Sequence, residues 1–382
     1  MRLNRIKFNN HNLLKDLDLS FADENGKALD TVILIGRNGS GKTTILKNIF
    51  LRFTNNYNSQ TECYLNVTQE EQAYLTSSSL LKPKIGNSKI PDKNLHFNIV
   101  ENNIENLDKL TVVYMPSDTE MGNPLKVSND FLTLVDQKIT STIPKIIDKK
   151  IDDEIRKDIY KSPLENVKNF IDKINSLFAC LDLDVELMAV ETFEKKEPVF
   201  KNKSGSEFNI QSLSSGEKQL FSRALSLKLL DINNSIILID EPELSLHPKW
   251  QQKIVQVYEN IGENNQLIIA THSPLILNSV KKEQIKILTR DENGIKILDD
   301  FDETFGHTAE DILTEIMDLK TVRNDEIELK LNKLNQLLSE EKYQSIEFED
   351  LYKELRGFLG NTDIDLNLID MDRNRRLRKR GE

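Results

Sequence analysis

Eight consecutive residues, Gly36-Arg37-Asn38-Gly39-Ser40-Gly41-Lys42-Thr43, fit the pattern G-x-x-x-x-G-K-[ST] directly after an apolar run over 31–35. Glycines at these places let backbone N–H groups converge on phosphate oxygens at the positive end of the helix that follows. Lys42 supplies a point charge for the β- and γ-phosphates of a nucleotide. Thr43 supplies a hydroxyl to a Mg2+ ion, which keeps several waters and takes few protein ligands. A second apolar run, Ser235-Ile236-Ile237-Leu238-Ile239, ends in two acids, Asp240 and Glu241. A buried strand of this kind presents its C-terminal end to the nucleotide crevice. There Asp240 is expected in the Mg2+ shell and Glu241 is expected to polarise an attacking water; solvated carboxylates at the end of an ordinary strand are the plain alternative for the pair alone.

Two further stretches carry polar residues at the edge of apolar ones. Leu213-Ser214-Ser215-Gly216-Glu217 is a glycine-containing turn leading into an apolar-periodic helix over 220–230, and Leu267-Ile268-Ile269-Ala270-Thr271-His272-Ser273-Pro274 ends a strand on a histidine. His247, in Ser245-Leu246-His247-Pro248, reads either as an interface contact or as a structural loop residue. His307 precedes Thr308, which is placed to cap a helix. His11 and His96 have no companion ligand and read as surface or loop residues.

The elements that must position these residues follow from apolar periodicity. Strands are expected over 2–8, 13–21, 31–35 and 110–115, then over 197–201, 235–239, 266–270 and 284–289, with a helix over 44–53 through Ile45, Leu46, Ile49 and Phe50. Residues 55–106 are polar and interrupted by Pro83 and Pro91, which predicts loops or an irregular insertion. Over 128–187 the spacing turns helical, first through Ile147, Ile151, Ile155 and Ile159, then in a stripe from Leu164 to Leu181. This helical insertion is too short for long coiled-coil arms, and there is no Cys-x-x-Cys hook. Amphipathic helices broken near Asn324 and Tyr343 follow over 308–360. No internal repeat is visible.

The segment Leu213 to Glu217 resembles the signature of ABC-type ATPases, which is Leu-Ser-Gly-Gly-Gln in its commonest form, and Leu267 to Pro274 resembles the switch-histidine strand of that superfamily. The order phosphate loop, signature, acidic strand, histidine agrees. Departures narrow the likeness: about 170 residues separate phosphate loop from signature, Ser215 replaces a glycine, and the acids continue as Pro242-Glu243-Leu244-Ser245-Leu246-His247-Pro248. These features are similar to the RecF/OLD-like branch of SMC-related ATPases, over 1–55 and 205–290. The resemblance implies an α/β fold: an ABC-type P-loop ATPase core with an inserted helical subdomain and a helical C-terminal region. The expected division is an ATPase lobe over 1–54 and 205–300, an insertion over 55–204, a helical docking region over 301–360 and a basic tail over 361–382. It also implies ATP and Mg2+ as cofactors. Gly36, Asn38, Gly39, Ser40, Gly41, Lys42, Thr43 and Thr44 would surround the nucleotide, and Ser214, Ser215 and Gly216 would close over it from a second protomer. Thr43 and Asp240 would hold the metal, while Glu241 and His272 would serve hydrolysis. The glutamine loop of the superfamily has no identifiable counterpart; the segment around Ser117 and Asp118 takes its place.

OLD-type nucleases carry a TOPRIM domain after the ATPase, whereas Asp363, Asp365, Asp370 and Asp372 lack the flanking apolar strands of a metal-cradling sheet. A stand-alone ATPase of this type with a short helical C-terminal region resembles the ATPase subunits of the Septu, retron-associated and PARIS antiviral systems. That implies nucleotide-bridged homodimers, or larger assemblies of them, which control a separate nuclease effector chain. The alternative is a RecF-like ATP-dependent DNA-binding clamp, with DNA or RNA as the partner; a transporter motor is disfavoured by the loop after Glu241. The run Arg373, Arg375, Arg376, Arg378, Lys379, Arg380 reads either as a solvated tail or as a site for nucleic-acid phosphate or an acidic partner.

Composition bounds these readings. With 382 residues, 38% hydrophobic and 30% charged, the chain has the make-up of an ordinary globular protein of two or three units. No apolar run approaches membrane-spanning length and the first residues lack a signal-peptide core, so no membrane partner and a cytoplasmic location are expected. Cys63 and Cys180 are too few for a disulfide framework and read as packing residues in a reducing compartment. A net charge of −11 argues against a generally basic, nucleic-acid-coating surface and leaves room for a local basic site.

Overall fold

The three continuous apolar runs become adjacent parallel strands in the computed structural model, which describes residues 1–53, 60–77, 84–85, 88–89, 95–100, 111–117, 132–133, 162–190, 198–229, 232–292, 294–298, 300–317 and 319–380. In chain order, β1 is Arg2–Phe8, β2 Asp18–Ser20, β3 Thr31–Gly36, β4 Thr61–Val67, β5 Lys84–Ile85, β6 Ser88–Lys89, β7 Leu95–Ile99 and β8 Val112–Met115. Then come β9 Leu132–Thr133, β10 Val185–Val190, β11 Pro198–Asn202, β12 Glu207–Asn209, β13 Ile236–Asp240, β14 Gln266–Thr271, β15 Ile285–Asp291 and β16 Gly294–Leu298.

The main sheet has the order β16-β15-β3-β14-β13-β8-β9, parallel except for the β15–β16 hairpin. Every residue of β13 and β14 is buried, as both-face coverage of a parallel sheet demands. Side chains alternate between the two faces. Val32, Leu34, Ile236, Leu238, Ile268 and Ala270 share one cluster with Ile45, Leu46, Ile49, Phe50 and Phe53 of the helix Lys42–Phe53. The far side of that cluster is closed by a second sheet, β2-β1-β4-β7, through Leu3, Ile6, Phe8, Cys63 and Leu65.

That second sheet departs from the expectation for 55–106. Thr61–Val67 alternates buried and half-buried positions and pairs with β1, so this stretch belongs to the core and is no irregular insertion. Its solvent-side residues, Glu62, Tyr64 and Asn66, hide the pattern from a search for apolar runs. Residues 13–21 also differ, with a turn at 11–17 that leaves only Asp18–Ser20 as strand. Within the expected helical insertion, Pro163–Phe178 is a helix capped by Ser162, joined to the small sheet β10-β11-β12 by Asn175, which bonds both Leu187 N and O at 2.9 and 2.8 Å. The stripe Ile147 to Ile159 lies outside the described residues.

The chain divides into two units, Met1–Ile312 and Leu313–Glu382. The described residues of the second include the helices Asp325–Ser339, Ile346–Leu359 and Ile364–Arg380, the first two begun at Asn324 and Ser345 by side-chain caps. Leu331, Leu334, Leu338, Phe348, Leu355, Leu366 and Ile369 form its own core. The described part of 361–382 is therefore more than a solvated tail: Ile364–Arg380 is a helix, with Leu366 and Ile369 buried. Several of its charges are paired locally, Asp370 with Arg356 at 2.6 Å, Arg376 with Asp372 at 2.9 Å, and Arg373 with Glu349. Arg323 likewise takes up Asp363 and Asp365 at 2.9 and 2.6 Å. Among the described residues no helix is long and apolar enough to cross a membrane.

Leu334 is fully buried in the second core, and its replacement by alanine should cost about 2–5 kcal/mol. In Leu334→Ala, amide hydrogen exchange should accelerate across 325–380 and stay unchanged in β3, β13 and β14. Equal acceleration in both regions would contradict two separate cores.

Candidate nucleotide site

The loop between β3 and the helix Lys42–Phe53 is fixed by its own backbone. Ser40 N donates to Arg37 O at 3.1 Å and Ile45 N to Gly41 O at 2.8 Å, so the turn runs straight into the helix. Gly41 has φ +87°, and a Cβ there would meet the side chains of Leu14 and Ile295 at 2.7 Å. A Cβ on Gly36 would lie 2.3 Å from Leu288 O. Arg37, Asn38 and Gly39 form the exposed rim, while Ser40 and Lys42 are buried. Thr44 is half-buried, and its carbonyl accepts the Asn48 side chain at 2.9 Å.

Lys42 Nζ turns back onto the loop and donates to Gly36 O at 2.8 Å and Arg37 O at 3.3 Å. Burial pulls its pKa down to about 8, against the opposing pull of Asp240, Glu241 and Glu243. Thr43 Oγ1 donates to Asp240 Oδ1 at 3.1 Å, and Ser117 Oγ donates to Oδ2 at 3.4 Å. Burial pushes the Asp240 carboxyl above its usual range and the Thr43 bond opposes that. Three hard oxygen donors, from the turn after β8, from β13 and from the start of the helix Lys42–Phe53, thus meet, a donor set that suits Mg2+. The buried Tyr114 hydroxyl, at the end of β8, is pushed upward by desolvation first and then by Asp240.

Glu241 follows with φ +47°, an uncommon backbone state for a side chain of this size. Its N donates to Ala270 O at 2.8 Å, and its O accepts Arg223 Nη1 at 3.2 Å. Arg223 is 1% exposed and also donates Nη2 to Pro116 O at 2.9 Å, so one guanidinium ties the ends of β8 and β13 together. It comes from the π-helical turn Phe221–Leu225, a type of distortion found at functional sites. Arg223 was not among the expected site residues. The available signal was a cation at the buried spacing Leu220, Arg223, Ala224, Leu227 of an apolar helix. His272, just after β14, has its pKa lowered by burial and then by Lys42, against the pull of Asp240, a net shift that favours the neutral ring. Its backbone N–H donates to Glu243 Oε1 at 2.7 Å, a second contact not anticipated.

The signature residues lie elsewhere. Ser214 caps the helix Ser215–Leu220 in a reciprocal box with Glu217. Ser214 and Ser215 are exposed, and Gly216 is buried against Ser245. Among the described residues, these three make no hydrogen bond to the phosphate loop. His247 is exposed and caps Pro248–Gln251 by accepting Lys249 N at 3.2 Å. His307 precedes Thr308, which caps the next helix with Asp311. His11 Nδ1 accepts Leu13 N and Leu14 N at 3.1 Å each, and His96 stacks on Tyr64 with centroids 4.4 Å apart.

A family model described as "AAA domain, putative AbiEii toxin, Type IV TA system" matches residues 67–278. Over 221 residues the chain is 33% identical to the Retron Vc95 probable ATPase of Vibrio cholerae serotype O1 biovar El Tor, covering 53% of this chain and 41% of that one. The chain thus spans about two-fifths of that relative's length. It is 26% identical over 357 residues to the Septu protein PtuA of Bacillus thuringiensis, covering 84% and 86% of the two chains. Among solved structures, the SMC head domain from Thermotoga maritima is similar at a TM-score of 0.42 and 17% identity, over 78% of this chain and 98% of that one. The family match takes in the signature, the acidic strand and the histidine and covers more than half of the residues, and the chain belongs to this AAA-domain ATPase family.

Proposed function

We propose that this protein binds and hydrolyses ATP with Mg2+, forms nucleotide-bridged homo-oligomers, and controls a separate nuclease effector in bacterial defence against phage. The observation that carries the first step is the hydrogen bond between Thr43 and Asp240, beside an inward-turned Lys42. Thr43 and Asp240 would hold the metal, which supplies charge neutralisation for phosphoryl transfer. Lys42 would exchange its two carbonyl partners for phosphate oxygens. Glu241, held by Arg223 through its carbonyl, would orient the water, and neutral His272 would contact the γ-phosphate. Gly36, Asn38, Gly39, Ser40, Gly41 and Thr44 would line the phosphates.

Exposure of Ser214 and Ser215 supports the assignment of the signature to a second protomer's nucleotide, because these groups have no task at their own phosphate loop. The nuclease partner and the defence role rest on the likeness to the retron and Septu relatives.

Lys42→Ala should abolish nucleotide binding, and Glu241→Gln should bind ATP, hydrolyse it slowly and accumulate as an ATP-dependent assembly in light scattering. Equal ATP affinity in wild type and Lys42→Ala would remove the site assignment. Purified from its native host with ATP, the Glu241→Gln protein should carry a nuclease chain. DNA without a protein partner would favour a DNA clamp instead.

The lowered Lys42 pKa of about 8 sets a pH dependence. Phosphate favours the charged lysine, so binding takes up a proton once free Lys42 deprotonates. Affinity should be level below the free pKa and fall by up to about tenfold per pH unit above it. Calorimetric titration between about pH 7.5 and 9.5 reads this; a flat profile would contradict a buried, titrating lysine.

A further inference from the structure

The loop between Glu241 and Gln251 holds the histidine turn at two points. Glu243 Oε1 accepts the backbone N–H of His272 at 2.7 Å, and Gln251 Oε1 accepts the Ser273 hydroxyl at 2.8 Å. The loop is braced within itself. Leu244 N donates to Glu241 O at 3.2 Å, Leu246 N to Glu243 O at 2.9 Å, and Gln251 Nε2 to Leu246 O at 3.0 Å. Its other side abuts the signature, where a Cβ on Gly216 would lie 2.7 Å from Ser245 O and 3.4 Å from the Trp250 ring. A single bonded loop therefore touches the signature glycine and grips the turn that carries His272.

Glu243 is an expensive residue for packing alone. Its Oε2 is buried, and beside the His272 N–H the carboxyl is helped by smaller hydrogen-bond contributions from its own backbone and the Thr271 side chain. A carboxyl group so placed loses solvation that these few hydrogen bonds do not fully return, and burial raises its pKa accordingly. The gain is a fixed main chain at His272, whose ring lies within electrostatic reach of Lys42 and Asp240.

We propose that Glu243 is a positioning residue that acts through His272: its acceptor oxygen fixes the histidine turn, and the loop that bears it links that turn to the signature at Gly216. This rests on the assignment of His272 to the γ-phosphate. What the turn requires is an oxygen that accepts the His272 N–H. Negative charge is not required. Displacement of a reacting group by about 1 Å is enough to lower a rate by about 100-fold.

The test uses full-length Glu243→Gln, Glu243→Ala, His272→Ala and the double variant, with ATP turnover and the imidazole NMR signals of the ATP-free protein as readouts. The His272 signal is identified by its loss in His272→Ala. Glu243→Ala should lower kcat by about 10- to 100-fold with KM within about threefold, and should move or broaden the His272 signal. Glu243→Gln keeps an oxygen for the same N–H and should stay within about threefold of wild type in kcat, with the signal in place. The double variant should be no slower than His272→Ala alone. Glu243→Gln as slow as Glu243→Ala would show that the charge is needed and overturn the proposal. So would a double variant whose losses multiply, or an unmoved His272 signal in Glu243→Ala. Should Glu243→Ala fail to fold, Glu243→Met, similar in volume and without an acceptor oxygen, takes its place. Wild-type turnover in His272→Ala would remove the role of the histidine itself, and the imidazole signals would still report whether Glu243 holds the turn.

Discussion

The parallel pairing of β3, β14 and β13 is the constraint on which the site depends. Their register runs from Thr31 opposite Leu267 to Ile35 opposite Thr271, and from Ile236 opposite Gln266 to Asp240 opposite Ala270. Parallel strands end together, so Gly36, Asp240 and Thr271 arrive at one edge of the sheet. Each is followed by a chemically committed turn: the phosphate loop, Glu241, and His272. A slip of one residue in any of the three would turn the buried faces outward, so the apolar core enforces the alignment of the polar edge.

Burial then sets the electrostatics of that edge. Lys42, Asp240 and Glu243 are all shifted toward their neutral forms, mainly by loss of water. Such a pocket keeps its charges under desolvation, a state that an anion and a cation bound together would relieve. Arg223 is the structural counterpart: it donates to main-chain carbonyls of Pro116 and Glu241 and so bridges two strand ends.

Legibility in the sequence followed physical contrast. Continuous apolar runs over 31–35, 235–239 and 266–270 mark strands buried on both faces, and the glycine-rich loop between such a strand and a helix is specific in type and spacing. Thr61–Val67 is hidden because Glu62, Tyr64 and Asn66, three of its seven residues, are half-buried and polar. The last helix is hidden because Leu366 and Ile369 are its buried residues among many charges, with Arg373 and Arg376 paired to neighbouring acids. Arg223 and Glu243 act through main-chain groups, and a main-chain partner leaves no residue type to recognise.

The placement of β3 has a consequence in time. Both of its sheet neighbours, β14 and β15, follow it by more than 200 residues in the chain. At synthesis rates of about 5–20 residues per second, β3 emerges roughly 10–50 s before either neighbour exists. For that interval one of the most apolar segments of the chain has two open edges, and contacts of such long sequence separation close slowly even afterwards. Completion of the sheet around β3 therefore waits on chain made late, and the protein's yield should be more sensitive to translation speed than its final stability suggests.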